Sequence, residues 1–352
     1  MTTYERILRM YEHREADRVP IVDSPWRGTI ARWEREGMPR GTDWHDYFGA
    51  DRISGIGVNI SQRYERRIIE ENDRWRIETT DYGVTLRQFK ELDATPEFLD
   101  FKVNSSEVWQ DAKRRMQDLS GRIDWKRLER DYPLWRAEGR WVSAGFWFGF
   151  DVTHSGLVGT ETLLIAMLEE PEWVMDIFDT YLRSCEALFD QIWDAGYTFD
   201  EILWYDDMGY KGTTFFSPQL YRQLVQPFHR RAVEWAHRKG IYARLHSCGD
   251  VHTLLPDIVA TGVDALNPLE VKAGMDALKI KQEYGNRLLL HGGVNAVLWS
   301  DKERIIAEIE RLVPKLKENG GYIFASDHSI PNSVSLENFK AIIETVKRCG
   351  SY

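Results

Sequence analysis

Cysteine is scarce in this chain: Cys185, Cys248 and Cys349 are the only three in 352 residues. Three thiols build no disulfide framework. Cys185 falls inside a helical pattern and reads as core, and Cys349 lies in the C-terminal tail. Positive charge is short as well. Lysine and arginine total 46 against 56 acidic residues, a net charge of −10. That balance argues against nucleic acid or an anionic membrane surface as partner. The chain has no run of about eighteen apolar residues, so no membrane-spanning helix is expected. The opening residues, MTTYERILRMYEHREADR, lack the apolar segment of a secretory signal, and a reducing cytoplasm is the expected location. Neither GxGxxG nor GxxxxGKS/T occurs, so a nucleotide-binding turn is not expected.

What is present is enough apolar residue, 43%, for one large barrel or two ordinary domains. Fourteen tryptophans suggest an aromatic pocket as well as core. A short helix opens at Thr3, with Thr3-x-x-Arg6 as a poor capping box. Residues 19–24 and 53–59 read as strands. Residues 64–71, 74–80 and 84–89 are β-branched and aromatic, broken at Asn72-Asp73 and Tyr82-Gly83. They predict a small antiparallel meander inserted over residues 64–90. Residues 96–140 read as polar helix. Strands then alternate with helices, starting at Trp141, Glu201, Tyr242, Ala265, Leu288 and Tyr322. With Val19 and Ile53 this makes eight strands. The pattern predicts a (β/α)8 TIM barrel with N-terminal helices, one domain over residues 1–352, with a doubly wound open sheet as the alternative.

Residues 242–252, YARLHSCGDVH, are the centre of the chain's chemistry. Side chains alternate along a strand, so Arg244, His246 and Cys248 share a face. A histidine and a cysteine at i and i+2 at a strand's carboxyl end suit zinc. A packed strand with an inert thiol is the plain alternative. In a barrel the active site lies where the strands end. Those ends carry Asp23, Trp147, Trp204-Tyr205-Asp206-Asp207, Asn267, Glu270, His291 and Ser326-Asp327-His328. His328 would complete a His, Cys, His set with one open position, the mark of a catalytic zinc site. Asp206 or Asp207 would be a fourth ligand or support a histidine, or else a helix cap or an ion-pair partner of Arg244 or Lys211. Gly292-Gly293 leave room for a ligand, or simply turn the chain. Asn267, Glu270 and His291 are pocket candidates, and Trp147, Trp204 and Tyr205 form an aromatic mouth.

The run LHSCGDV, GVDALNPLE, LLLHGGVNAVL and GGYIFASDHSIPNSVSLEN, preceded by SPQLYRQLVQPFHR, resembles the uroporphyrinogen decarboxylase superfamily. The resemblance covers roughly residues 205–338 and implies a (β/α)8 barrel and a homodimer. One branch removes acetate carboxyls from a porphyrinogen without metal, gripping substrate with an arginine-rich segment. The corresponding stretch here, VPIVDSPWRGTIARW, keeps only Arg27. The other branch comprises zinc-dependent methyltransferases of corrinoid pathways, which hold zinc through His-x-Cys and a later cysteine. His246-Ser247-Cys248 matches the pair, and His328 stands where the later cysteine would.

The leading expectation is a zinc-dependent methyltransferase acting on a small molecule with a corrinoid cofactor or corrinoid protein. Its metal ligands are His246, Cys248 and His328. The alternative is a metal-free decarboxylase of a porphyrin-like or aromatic acid. There Asp23, Asp207 and His328 handle protons while Arg27 and Arg244 anchor carboxylates. A non-enzymatic tetrapyrrole binder using Trp147, Trp204 and Tyr205 is the third reading.

Overall fold

The computed structural model describes residues 1–90 and 95–352. Along the chain the described strands are β1 (Ile53–Ile56), β2 (Arg67–Glu71), β3 (Trp75–Thr79), β4 (Val84–Phe89), β5 (Glu97–Phe101), β6 (Trp141–Phe146) and β7 (Glu201–Tyr205). They continue as β8 (Gly209–Tyr210), β9 (Thr213–Thr214), β10 (Tyr242–His246), β11 (Ala265–Asn267), β12 (Leu289–His291) and β13 (Tyr322–Ile323). Seven of these form one parallel sheet in the order β1-β6-β7-β10-β11-β12-β13. The order follows the chain without reversal, so the doubly wound alternative is discarded in favour of a curled, TIM-like sheet. The expected first strand is reduced to a bridge: Ile21 pairs with Phe324 in parallel, and its carbonyl accepts the Asp51 N–H at 2.8 Å. This segment lies between β13 and the approach to β1.

The face of the sheet that the helices cover is largely apolar, whereas the inner face carries polar residues such as Glu201, Arg244 and His291. In β10, Ala243 and Leu245 are fully buried and belong to the main core, and the helix Gln226–Arg238 packs on this strand. Tyr242, Arg244 and His246 take the opposite face. A second, smaller cluster gathers Trp141, Ala265, Leu289 and Ile323 with Ile7, Met10 and Tyr11 of the helix Thr3–Tyr11. Tyr11 stacks on Trp141 at 5.3 Å and on Tyr242 at 4.2 Å. Each such burial contributes about 1.5–3 kcal/mol, and together they plug the amino-terminal end of the sheet. The helix is capped by Thr2 and Glu5, not Thr3 and Arg6: Glu5 N–H donates to Thr2 Oγ1 at 3.2 Å and Thr2 N–H to Glu5 Oε2 at 2.8 Å. The plug leaves the carboxyl ends of the strands as the open side.

The meander has four strands, not three, in the order β2-β3-β4-β5. β5 falls in the stretch read as helix. Helices resume at Ser106–Gln117 and Trp125–Ala137. Among the described residues no helix is long and apolar enough to cross a membrane.

Candidate metal centre and its two cavities

The loops after β7 and β10 are stitched together by backbone. Gly209 N–H donates to the Cys248 carbonyl at 3.2 Å, and Asp250 N–H to the Tyr210 carbonyl at 2.9 Å. Gly249 sits at φ +81, and a Cβ there would lie 2.1 Å from the Gly209 carbonyl carbon. Only glycine permits this approach. The stitch carries Cys248 to Asp207, whose carboxylate accepts the Cys248 N–H at 2.8 Å.

Asp207, His246 and Cys248 converge, their ligand atoms all within 4.8 Å of one another. His246 Nδ1–H donates to Asn267 Oδ1 at 2.9 Å, since that oxygen only accepts. The Nε2 lone pair therefore faces Cys248 Sγ at 3.3 Å and Asp207 Oδ1 at 3.6 Å. The Tyr205 ring lies 4.5 Å from the imidazole. Burial disfavours the charged form of all three groups. It raises the Asp207 carboxyl to about 7, aided by nearby Asp151, and lowers His246 to about 4. Burial also pushes the Cys248 thiol up, with Asp207 and Glu270 adding to the effect.

Asp206 faces the other way. Its carboxylate accepts the Asp151 N–H at 2.7 Å and pairs with His229 Nε2 at 2.8 Å, and His229 Nδ1 meets Tyr221 Oη at 3.0 Å. It thus supports a histidine, but one in the helix layer. Trp204 is fully buried between Phe148 and His229 and is not part of the mouth. Adjacent residues of a strand point to opposite faces, so Trp204 and Tyr205 cannot both face the opening.

Two cavities flank this centre. The larger, about 770 Å³, is roofed by the meander through Tyr82, Val84, Leu86 and Phe98. Trp147, Asp151, Asp207, Cys248, Glu270 and Lys272 are among its other walls. Glu270 Oε2 accepts the Gly249 N–H at 2.7 Å and its other oxygen lies 3.3 Å from Lys272 Nζ. Asp151, which the sequence pattern does not single out, accepts the Trp147 Nε1–H at 2.9 Å. The smaller cavity, about 450 Å³, lies along the sheet interior and holds Asp23, Tyr205, Arg244, Asn267, His291 and His328.

In the smaller cavity Arg244 is buried, paired to Glu201 and donating to His291 Nδ1 at 2.6 Å. His291 Nε2–H donates to the Val22 carbonyl at 3.1 Å. Burial, with Arg244 beside it, lowers His291 to about 3. Asp23 accepts the Ser24 N–H at 2.7 Å and the Ser326 hydroxyl at 3.0 Å, and burial raises it to about 6. His328 is exposed at the rim of this cavity and outside the Asp207, His246 and Cys248 group. The Asp327 carboxylate fixes that loop by accepting the Val271 N–H at 3.0 Å and the Ala296 N–H at 2.7 Å. Arg27 opens the helix Arg27–Arg35, is exposed and lines neither cavity. Gly292 is at φ +110, and a Cβ there would meet the Pro268 carbonyl oxygen at 2.3 Å, so the glycine makes room for backbone.

Residues 144–349 match the sequence profile of the uroporphyrinogen decarboxylase (URO-D) family. Among curated proteins, the uroporphyrinogen decarboxylase of Chloroherpeton thalassium is 28% identical over 143 residues, 38% of each chain. That of Chlorobium phaeovibrioides is 33% identical over 102 residues, 28% of each chain. The chain thus spans under two-fifths of the length of these relatives. Among solved structures, a methyltransferase from Methanosarcina mazei superposes over 99% of both chains with a TM-score of 0.62 at 17% identity. That likeness is one of fold.

Proposed function

Because this chain belongs to the uroporphyrinogen decarboxylase family, we propose that it is a methyl-transferring enzyme of that superfamily, on a complete (β/α)8 barrel. Asp207, His246 and Cys248 would hold zinc. The observation that carries this reading is the convergence of one nitrogen, one sulfur and one oxygen donor, with the imidazole oriented by Asn267. Zinc accepts this donor mixture, and a hydrogen-bonded second nitrogen is the usual setting of a ligating histidine. Cys248 and Asp207 would give up the protons that burial favours on them, while His246 already offers its Nε2 lone pair.

When bound, the ion supplies Lewis-acid character, lowering the pKa of a bound thiol or hydroxyl or assisting departure of an O-methyl group. The chain's own residues do the rest. Asn267 fixes the His246 tautomer. The roofed cavity gives the reacting atoms largely apolar surroundings. His328 and Asp23, in the neighbouring cavity, would move protons near its mouth. The exposed rings of Tyr205 and Tyr210 support approach of a corrinoid methyl carrier, free or on a protein. The test is elemental analysis of purified protein. About one zinc per chain, lost in Cys248→Ala, supports the reading, and equal metal in both proteins sinks it.

A metal-free decarboxylase is the second reading, favoured by the names of the curated relatives. Its cations are poorly available: Arg244 is spent on Glu201, and Arg27 lies outside both cavities. Buried substrate carboxylates need matched cations or donors. Formation of coproporphyrinogen on anaerobic incubation with uroporphyrinogen, lost in His328→Ala, would promote this reading.

A further inference from the structure

We infer that the larger cavity takes an uncharged, ring-bearing apolar molecule that presents a single oxygen or sulfur to Asp207 and Cys248. This deepens the proposed function, since the metal reading supplies the reason for that one polar contact. The binding chamber itself stands on separate observations.

The first is the distribution of wall chemistry. The meander contributes Tyr82, Val84, Leu86 and Phe98, and the barrel side adds Trp147 and Phe215. The polar side chains Asp207, Cys248 and Glu270 come from the strand-end loops, and Asp151 from the first turn of the helix Phe150–Gly156. A mostly apolar site with a few convergent polar groups is how proteins orient one end of an apolar ligand.

The second is rigidity. Trp147 is pinned by its Nε1–H to Asp151 at 2.9 Å and meets Tyr82 edge-on, centroids 5.4 Å apart at 68°. The indole is thus held before any ligand arrives. A fixed aromatic wall favours a flat ring, which stacks on it at little entropic cost.

The third is charge. The walls carry three carboxylates (Asp151, Asp207, Glu270) and two lysines (Lys211, Lys272). Lys272 already faces Glu270 at 3.3 Å, and Lys211 is exposed. A zinc ion at this site would have its two positive charges matched by the Asp207 carboxylate and the Cys248 thiolate. An acidic ligand would still meet Asp151 and Glu270 with no unmatched buried cation. This separates the inferred ligand from porphyrin-like and aromatic acids. The size fits too: about 770 Å³ is within the range of small-molecule sites, roughly 300–1,000 Å³.

The probes are methoxybenzene and 4-methoxybenzoate, which share a ring and an ether oxygen and differ in one carboxylate. Binding is measured on the full chain by titration calorimetry, with zinc content determined on the same samples. Saturable binding of methoxybenzene, at least tenfold tighter than the benzoate, is expected. Trp147→Ala should weaken it about tenfold. Leu86→Arg should abolish it while improving the benzoate, and Phe98→Ala, a milder change at the meander edge, serves if Leu86→Arg misfolds. Benzoate binding equal to or tighter than methoxybenzene would overturn the inference. So would the lack of saturable binding in zinc-loaded protein. Methoxybenzene binding that survives in metal-free Cys248→Ala would uphold this inference by itself, whereas zinc absent from wild type would count against the metal reading alone.

Discussion

In the smaller, axial cavity the charged groups are matched within the protein: Arg244 with Glu201 and His291, Asp23 with Ser24 and Ser326. In the meander-roofed cavity Asp207 and Cys248 face apolar walls, and among the described residues no lysine or arginine is paired with either of them. The first is an ion-paired network that holds the sheet interior together, with Arg244 Nε left without a partner. The second is an unbalanced one, a partly buried set of donors with no lysine or arginine beside it among the described residues. His246 stands between them, hydrogen-bonded to Asn267 on one side and facing Cys248 on the other.

The comparison breaks most readily at Glu201. Its carboxylate receives both the Tyr11 hydroxyl and the Arg244 guanidinium. Glu201→Ala would strand a buried cation, and urea denaturation should show a loss of about 3–5 kcal/mol. Adding Arg244→Met should recover much of it. A loss below about 1 kcal/mol would mean the axial network is not structural.

His291 gives the next effect. Unfolded, it takes a proton near its ordinary 6.5; folded, it stays neutral down to about 3. The unfolded state therefore binds more protons inside that window. Its contribution to stability is complete above 6.5 and is lost as pH falls towards 3. The slope is about 1.4 kcal/mol per pH unit. His291→Gln should flatten stability against pH over this range, and an unchanged slope would show that the histidine is not held neutral.

Asn267→Ala addresses the roofed side. It should leave the fold intact and weaken zinc binding by about 10–100-fold in chelator competition. Unchanged affinity would mean the imidazole needs no orienting partner. The smallest effect lies outside both cavities. His237, hydrogen-bonded to Asp264, has its pKa raised chiefly by that bond. The pair helps stability fully below 6.5 and loses that help as pH rises through the folded value. Because it is half-exposed, Asp264→Asn should cost about 0.5 kcal/mol at pH 6 and less at pH 8.

Strand alternation made much of this legible in the sequence. It put His246 and Cys248 on one face, and the order of strands along the chain is their order in the sheet. The same alternation, carried from Tyr205, separates Asp207 from Asp206 and Trp204, yet from the sequence alone the choice of Asp206 or Asp207 stays open and Trp204 is expected in the mouth. Three features were not legible. β5 pairs with β4 across the residues between them, and EFLDF, following Pro96, has no local signal that separates it from the polar helices beyond. The third donor was expected in His328, but that residue lies five positions past β13, on a loop whose course Asp327 fixes through distant amides. Asp151 reached the site through the Asp206 contact to its backbone, a pairing that no sequence spacing encodes.

The central claim is that Asp207, His246 and Cys248 hold one divalent metal ion. X-ray absorption at the zinc edge of purified protein tests it most directly. The account predicts one sulfur at about 2.3 Å and nitrogen or oxygen neighbours at about 2.0–2.2 Å. The sulfur shell should vanish in Cys248→Ala, while zinc occupancy should fall in Asp207→Ala and persist in His328→Ala. A spectrum without sulfur, or zinc retained in Asp207→Ala but lost in His328→Ala, would contradict it.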